Sequence, residues 1–380
     1  MKHRYRHPSM ALALAVSLVG TVSAQEVVRE GVSTEYQRFD LVRVASGLSH
    51  PWAVAFLPDG RQLVTERSEG MVAIEDGTQT RVTGLPDFHA TNQGGMLDVV
   101  LHPDYENNGW IYITYSRGDR RGTVPALIRA RLDGHELVDV EPLFESNEYT
   151  RPGRHYGSRV VFLEDGTLLM TIGDRGAEPP RAQDTLDHSG SVVRLNDDGS
   201  VPDDNPFVGD DAYAPEIHAY GLRNIQGIAL HPGTGEVWAT DHGPRGGDEL
   251  NLIEAGNNYG WPTVTLGRDY RTEEAFPDAE ARHKEGMVEP VFEFLPTLAP
   301  SGLAVVDSDR FSAWEGNLLA GGLRAQRILR LVVEDQTVIH AEELLHGDVG
   351  RVRDVRQGPD GYIYVLSDES DGGLYRLEPR

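Results

Sequence analysis

The chain of 380 residues contains no cysteine. Disulfide bonds, thiolate metal sites and cysteine nucleophiles are therefore excluded. A protein of this length without disulfide bonds must draw its stability from a large apolar core or from a closed architecture. Lysine is almost as scarce, because only Lys284 follows the first 24 residues. Arginine consequently supplies nearly all of the positive charge.

Positive charge as a whole is in deficit: 35 Lys and Arg face 60 Asp and Glu, and the formal net charge is −25. An acidic surface repels the phosphates of nucleic acids and of anionic lipids, so neither is an expected partner. The sequence also lacks the His-Glu-x-x-His motif of zinc hydrolases and the Gly-x-Ser-x-Gly motif of serine hydrolases. No Gly-x-Gly-x-x-Gly follows a strand-like run, which leaves nicotinamide chemistry unsupported.

A long hydrophobic segment is missing as well, since the apolar run from Met10 to Val19 is too short to cross a bilayer. The run follows a basic segment and precedes the small residues Val22-Ser23-Ala24. This pattern is typical of a secretory signal peptide cleaved after Ala24. We therefore expect residues 1–24 to be removed and residues 25–380 to form the mature protein. That protein is expected to be periplasmic or secreted, without a membrane-spanning segment.

The sequence does contain a repeated segment. In each copy, a turn rich in Pro, Asp and Gly joins two apolar runs of residues that favour β-strands. Its six copies are Ala53–Glu66, Asp98–Ser116, Arg159–Asp174, Gly227–Gly243, Gly302–Gly321 and Asp354–Asp368. Alternation with period two on both sides of a turn predicts two strands of one sheet, and the spacing leaves room for two more. The sequence thus predicts an all-β fold, a single six-bladed β-propeller of four-stranded antiparallel blades. A large β-sandwich with coincidental turns is the alternative.

In a propeller, loops between blades converge at one end of the central channel, so polar residues there become neighbours. Those residues are Gln93, His155, Asp174, Arg223, Asn224, Arg324, Arg351 and Arg353. Several arginines beside a histidine, in an acidic chain, indicate an anionic ligand with proton chemistry next to it. Each residue also has a structural reading, since a lone histidine is more often structural and arginine–aspartate neighbours usually brace loops.

Five motifs occur in order along the chain: HYGSRVVF from His155, YGLRNIQG from Tyr220, HGPRGGDELNLIEAGNNYGWP from His242, LPTLAPSG from Leu295 and GRVRDV from Gly350. Together they resemble the PQQ-dependent soluble aldose sugar dehydrogenases, which are related to soluble glucose dehydrogenase. The resemblance covers nearly the whole mature chain. It implies a six-bladed propeller that uses PQQ and Ca²⁺ to oxidise an aldose sugar at C1 to the lactone. The electrons then pass to an acceptor, a cytochrome or a quinone, that the sequence does not identify.

The resemblance also implies roles for matching positions. His155 matches the general base that takes the proton of the C1 hydroxyl, Asp174 matches the carboxylate that orients it, and Arg223 matches the arginine that polarises the quinone carbonyl. Further contacts to PQQ are implied for Gln93, Asn224, Arg324, Arg351 and Arg353.

Metal and substrate positions follow from the same resemblance. The main-chain carbonyls of Gly243 and Pro244 match ligands of the calcium on PQQ, and Glu249 and Tyr259 match a second calcium site. Asp248, Leu295 and Thr297 are expected on the sugar side. The glucose dehydrogenase branch differs, having an aromatic residue in place of Leu295 and a lysine in place of Arg324. Gln183 is the nearest candidate for a glutamine on the cofactor.

Two other functions stay open on the sequence alone. One is a calcium-dependent sugar lactonase on a six-bladed propeller, which would place carboxylate ligands in the channel instead of an arginine cluster. The other is a non-catalytic extracellular binding propeller. A scaffold needs neither His155 nor Arg223, so this pair favours an enzyme.

Overall fold

The computed structural model describes residues 25–147 and 149–380, so the expected signal peptide lies outside the described residues. Twenty-five β-strands in the described part of the chain form six antiparallel sheets. Helix is limited there to α1 (Tyr105–Asn108) and to 3-10 turns at Pro179–Gln183 and Asp309–Trp314. None of these helices is long and apolar enough to cross a membrane.

Five of the sheets each consist of four strands that are consecutive in the chain. The first contains β3 (Pro51–Phe56), β4 (Gln62–Glu66), β5 (Gly70–Glu75) and β6 (Thr78–Arg81). The second contains β7 (Met96–Leu101), β8 (Ile111–Asp119), β9 (Gly122–Asp133) and β10 (Glu136–Glu145). The third contains β11 (Val160–Phe162), β12 (Leu168–Ile172), β13 (Ser191–Leu195) and β14 (Ile217–Tyr220).

The fourth sheet contains β15 (Ile225–Leu230), β16 (Val237–Asp241), β17 (Asp248–Leu252) and β18 (Phe292–Phe294). The fifth contains β19 (Pro300–Val305), β20 (Leu318–Gly322), β21 (Arg327–Glu334) and β22 (Thr337–Leu344). The sixth joins the two ends of the described chain. It contains β23 (Val352–Gln357), β24 (Ile363–Ser367) and β25 (Gly372–Pro379), extended by β2 (Arg38–Leu48) and β1 (Glu26–Ser33).

The first strands of the six sheets form a closed ring. β3 contacts β7, and the contacts continue through β11, β15, β19 and β23 back to β3. This ring confirms the predicted six-bladed propeller and rules out the sandwich. One feature was not predicted: β1 gives the sixth blade a fifth strand, and Leu41 of β2 pairs with Leu377 of β25, so the N-terminal and C-terminal strands close the ring together.

The repeated segment corresponds to the two inner strands of each blade, and its turn has the same geometry in the first, third and sixth blades. In the first blade the N–H of Gly60 donates to the carbonyl of Leu57 over 3.0 Å, and Gly60 has φ 92°. Gly166 and Gly361 make the equivalent bonds, with φ 85° and 79°. A positive φ is strained for residues with a Cβ, so the glycine is what allows the tight turn.

Apolar side chains fill the wedges between adjacent blades, as between β3–β5 and β7–β9. The channel itself is polar. Arg159 lies 2.9 Å from Asp354, and Arg356 lies 3.0 Å from Asp354 and also pairs with Asp98. These groups belong to β7, β23 and the segment before β11, and all but the partly exposed Arg356 are buried, so paired charges tie three blades together inside the channel. Buried charges are tolerated because each has a partner.

Candidate active site

His155 lies in the loop between β10 and β11, with φ 51°. Such a conformation is unfavourable for a residue with a side chain and persists only where the surroundings impose it. Here the N–H of His155 donates to Oε1 of Gln93 over 2.8 Å, and its carbonyl accepts from Nη1 of Arg175 over 2.8 Å. A Cβ at Gly173 would lie 2.2 Å from that carbonyl, so the glycine lets the two loops approach. The backbone therefore holds the His155 ring in place.

The ring of His155 is bonded to Asp174, as expected from the sequence. Nδ1 lies 2.6 Å from Oδ1 of Asp174, whose side chain is only 1% exposed. Burial lowers the pKa of His155, and the positive charge of Arg223 lowers it further against the opposing effect of Asp174. Burial alone would raise the pKa of Asp174, but its hydrogen bond with His155 and the nearby positive charge of Arg223 hold that pKa below its usual value. The two shifts favour a neutral imidazole beside an ionised carboxylate at neutral pH.

Arg223 completes this group from the third-to-fourth blade connection. Its Nη2 lies 3.5 Å from Nε2 of His155, and its Nη1 donates to the carbonyl of His242 over 2.9 Å. The buried Asp241 at the end of β16 accepts from the backbone N–H groups of Arg223 and Asn224. The side chain of Asn224 accepts from the N–H of Gly157 over 3.1 Å, so Asn224 also supports the histidine loop.

A second group of charges comes from the first and sixth blades. Asp368, directly after β24, accepts from Arg353 over 2.6 Å, lies 3.5 Å from Arg351 and is bonded to His50 over 3.0 Å. Arg353 also donates to Gln226 over 2.8 Å. The arginines hold the pKa of the buried Asp368 well below its usual range, although burial opposes this.

Arg67 belongs to the same group, although the sequence analysis did not identify it. Its carbonyl accepts from the N–H of Met96, which places it beside the Gln93 loop. Burial lowers the pKa of its guanidinium, Asp368 opposes this, and Arg353 and Arg351 add to it. Among the described residues its side chain has no ion-pair or hydrogen-bond partner. The sequence did contain an indication of its position, because Arg67 directly follows β4 in the first blade just as Asp368 directly follows β24 in the sixth.

The arginine group fits a ligand with several carboxylates, such as PQQ. Arg351 and Arg353 pair with Asp368, which also acts on Arg67, and Glu369 accepts from the backbone N–H of Arg351, so three guanidinium groups face two carboxylates. The buried Nε of Arg353 has no hydrogen-bond partner among the described residues. Buried donors are rarely left unpaired without a reason. Arg324 is exposed in the turn between β20 and β21 and makes no described ion pair.

The calcium prediction rests on main-chain oxygens, and the described residues contain no group of three or more acidic or histidine side chains that could hold a metal. No described donor points at the carbonyl of Gly243, while that of Pro244 accepts from the N–H of Arg268 over 2.7 Å and keeps a second lone pair. Carbonyl oxygens are suitable Ca²⁺ ligands, so the chemistry of this loop fits the ion.

Asp248 fixes the shape of that loop. Oδ1 accepts from the N–H of Gly243 over 3.0 Å, and Oδ2 accepts from the Thr297 hydroxyl and from the N–H of Ala299. Asp248 is 1% exposed, so its carboxylate joins the Gly243 loop to the segment before β19. Asp248 and Thr297 are both predicted to contact the sugar, and in this structure their side chains are hydrogen-bonded to each other.

The second calcium site stays a prediction. Glu249 lies on β17 opposite Asp241 and Glu293, and burial with the charge of Asp241 raises its pKa to about 8. Tyr259 lies in the following loop, where its hydroxyl donates to the carbonyl of Leu252 over 2.6 Å and accepts from the N–H of Glu254 over 2.9 Å. The Tyr259 side chain is thus held by backbone groups of its own loop.

A cleft of ≈ 460 Å³ opens onto the histidine, lined among others by Gln93, Asp174, Arg223, Trp261 and Phe276. It is large enough for a small ligand. Leu295, expected on the sugar side, is 70% exposed. Gln183, the candidate cofactor glutamine, is instead bonded to the side chain of Asn258 and to the carbonyl of Trp261. Its side chain supports the Trp261 loop.

Comparisons with known proteins identify the family of the chain. The family model described as glucose/sorbosone dehydrogenase matches residues 48–376. Aldose sugar dehydrogenase YliI of Escherichia coli is 39% identical over 339 residues, covering 88% of this chain and 91% of that protein.

Solved structures show the same likeness. The apo-form crystal structure of the soluble aldose sugar dehydrogenase from Escherichia coli superposes with TM-score 0.86 and 38% identity, covering 90% of this chain and all of that one (100%). The PQQ-bound aldose sugar dehydrogenase from Streptomyces coelicolor gives 0.72 and 25%, covering 89% and 96%. The chain belongs to the glucose/sorbosone dehydrogenase family.

Proposed function

We propose that the protein is an exported PQQ- and Ca²⁺-dependent dehydrogenase that oxidises aldose sugars at C1 to the lactone. The observation that carries the proposal is the group formed by His155, Asp174 and Arg223 in the cleft. Nε2 of His155 lies 3.5 Å from Nη2 of Arg223, and Nδ1 lies 2.6 Å from the buried carboxylate of Asp174. Relatives named as aldose sugar dehydrogenases and a PQQ-bound structural neighbour support the same chemistry.

His155 is the group that removes a proton. With the Nδ1 proton donated to Asp174, Nε2 keeps its lone pair as a proton acceptor, and the Nη2 of Arg223 lies 3.5 Å from it at a long hydrogen-bond distance. The C1 hydroxyl of the sugar gives its proton to Nε2 while a hydride leaves C1, and the carbon is oxidised from hemiacetal to lactone. Asp174 stabilises the imidazolium that results. General-base catalysis of this kind contributes about 10²–10⁴-fold to a rate.

PQQ, when bound, supplies the two-electron acceptor for the hydride. Arg223 would lie at its reactive carbonyl, Gln93 and Asn224 beside it, and Arg67, Arg351 and Arg353 would pair with its carboxylates, with Arg324 at the rim. Arginine suits this task because its fork of donors matches a carboxylate. The carbonyls of Gly243 and Pro244 would hold Ca²⁺, with Asp248 keeping their loop in shape.

The remaining parts of the proposal concern the surroundings of the reaction. Leu295, Asp248 and Thr297 would border the sugar, and Glu249 and Tyr259 would hold a second calcium ion. The basic and apolar start of the chain supports export to the periplasm or beyond. A cytochrome or a quinone would take the electrons onward. The lactonase alternative is weaker, because the described residues lack the cluster of carboxylate ligands that it needs.

Reconstitution tests the proposal. Purified protein is loaded with PQQ and Ca²⁺, and reduction of an artificial dye is followed with a panel of aldoses. We expect dye reduction that requires the sugar, the quinone and the ion together. Failure to bind PQQ, together with inactivity towards the whole panel, would contradict the proposal. Lactone hydrolysis without PQQ would support the lactonase instead.

A further inference from the structure

The sequence motif that ends in NNYGWP is typical of a turn, but the side chain of its Trp261 reaches Asp174, the partner of His155. Nε1 of Trp261 donates to Oδ2 of Asp174 over 2.9 Å, and both side chains are buried. The other oxygen of Asp174 is shared by Nδ1 of His155 at 2.6 Å and the N–H of Gly176 at 2.8 Å. Three residues therefore form one line of hydrogen bonds, from Trp261 through Asp174 to His155.

The indole is well placed to hold this line rigid. The backbone N–H of Trp261 donates to the carbonyl of Gly221 over 2.8 Å, and the backbone carbonyl of Trp261 accepts from the side chain of Gln183 over 2.8 Å. Phe276 packs against its ring with centroids 4.7 Å apart. The guanidinium of Arg223 lies 5.3 Å from the ring centroid, and Arg223, His155 and Trp261 all line the cleft. Backbone and packing thus fix the ring independently of Asp174.

The hydrogen-bonding chemistry of the indole makes tryptophan a suitable partner for Asp174 at position 261. Indole nitrogen can only donate, so it bonds the ionised carboxylate and never competes for the proton of His155. In the described residues, Oδ2 of Asp174 has no other hydrogen-bond donor. A buried carboxylate oxygen without its donor is destabilised, and its negative charge acts more strongly on the remaining partner.

We propose that Trp261 is a positioning residue for the proton transfer, which orients Asp174 towards His155 and moderates how strongly that carboxylate holds the protonated imidazole. The proposal rests on the proposed function, because His155 is the base there. The effect of Trp261 on His155 can nevertheless be measured in the protein without PQQ.

The charged and titratable groups around His155 are Asp174, Arg223 and Arg154, with His242 beyond Arg223. Trp261→Phe leaves all four in place and removes one hydrogen bond. Asp174 then holds the imidazolium more strongly, so the pKa of His155 rises and the acid side of the pH–rate profile moves to higher pH. We expect kcat to fall by about tenfold, the scale of a hydrogen bond to a charged group, with a smaller change in KM.

Phe276→Leu is the matched control, because Phe276 packs on Trp261 and lines the cleft but makes no hydrogen bond to Asp174. It is expected to alter KM and to leave the acid limb where it is. NMR titration of the His155 ring in PQQ-free protein gives a second readout. A rise in its pKa in Trp261→Phe but not in Phe276→Leu supports the proposal.

An unchanged His155 pKa and acid limb in folded Trp261→Phe would overturn it and leave Trp261 as a wall of the cleft. If that variant does not fold, the wild-type chain still decides the matter. The indole N–H resonance of Trp261 should then shift as His155 titrates, and a resonance insensitive to that titration would contradict the hydrogen-bonded line. Loss of dye reduction in the wild type, with this coupling intact, would instead count against the proposed function.

Discussion

The carboxylate of Asp368 accepts a hydrogen bond of 2.6 Å from Arg353 and lies 3.5 Å from Nη2 of Arg351, and its charge also stabilises the Arg67 guanidinium. Positive charge therefore exceeds negative charge where the first and sixth blades meet. In a chain whose formal net charge is −25, such an excess indicates a specific anion.

Arg67 provides the most specific test of this excess. Arg67→Gln removes a charge that makes no ion pair or side-chain hydrogen bond with a described residue, so the fold should tolerate it. We expect affinity for PQQ, measured by calorimetric titration of the Ca²⁺-loaded protein, to fall by about tenfold, as for one charge-assisted hydrogen bond of ~1.5 kcal/mol. The control Arg282→Gln changes an exposed arginine and should bind as the wild type does. Equal affinity of both variants would remove Arg67 from the cofactor site.

The pH dependence of the rate tests the state of His155. In the proposed mechanism neutral His155 is the active form, so the rate should fall as the pH drops through its pKa. Burial and Arg223 lower that pKa, and the acid limb of kcat/KM should therefore lie below the ordinary histidine value of 6.5. Asp174→Asn removes the carboxylate that opposes this shift, so its limb should move to still lower pH while kcat falls. A limb that moves upwards in Asp174→Asn would contradict the assignment.

Calcium dependence tests the Gly243 loop. Chelation should abolish dye reduction and added Ca²⁺ should restore it. Asp248→Asn weakens the bonds to Gly243, Thr297 and Ala299, so we expect about tenfold more Ca²⁺ for half-maximal reactivation. Glu249→Gln is the comparison, since it alters only the second predicted site. If Glu249→Gln instead raised the Ca²⁺ requirement as much as Asp248→Asn, the two sites would have to be reassigned.

Closure of the ring predicts where stability is concentrated. Leu377 is fully buried on β25 opposite Leu41 of β2. Leu377→Ala should lower the free energy of unfolding by about 2–5 kcal/mol, the usual range for a buried leucine. Val27→Ala, at a half-exposed position of the outer strand β1, should change it by less than about 0.5 kcal/mol. Similar losses in the two variants, measured in urea, would show that the ring does not depend on this pairing.

The sequence predicted the blades because two strands and a turn repeat within each of them. It also predicted that His155 and Asp174 would lie close together, because both belong to loops that converge on the channel, and their side chains are 2.6 Å apart. It did not predict the pairing of β2 with β25, since nothing local in a strand identifies a partner more than 300 residues away. The role of Trp261 was missed for a related reason. Its motif predicts a turn, while its contact with Asp174 depends on how two separate loops meet.

Arg67 and Gln183 show the opposite errors. Arg67 occupies a converging position, but its blade carries no motif that drew attention to it. Gln183 was selected by its distance along the chain from Asp174, and in three dimensions it bonds to the Trp261 loop. Sequence spacing locates residues along a strand, whereas the direction of a side chain in a loop depends on its tertiary contacts.

The most direct test of the account is the reduction of bound PQQ by a single aldose addition, followed by absorbance in a stopped-flow instrument. Wild-type protein loaded with PQQ and Ca²⁺ should reduce the quinone, and more slowly when the sugar carries deuterium at C1. His155→Asn should bind PQQ as tightly but react about 10²–10⁴-fold more slowly, the range for loss of a general base. Quinone reduction at the wild-type rate in His155→Asn would contradict the account.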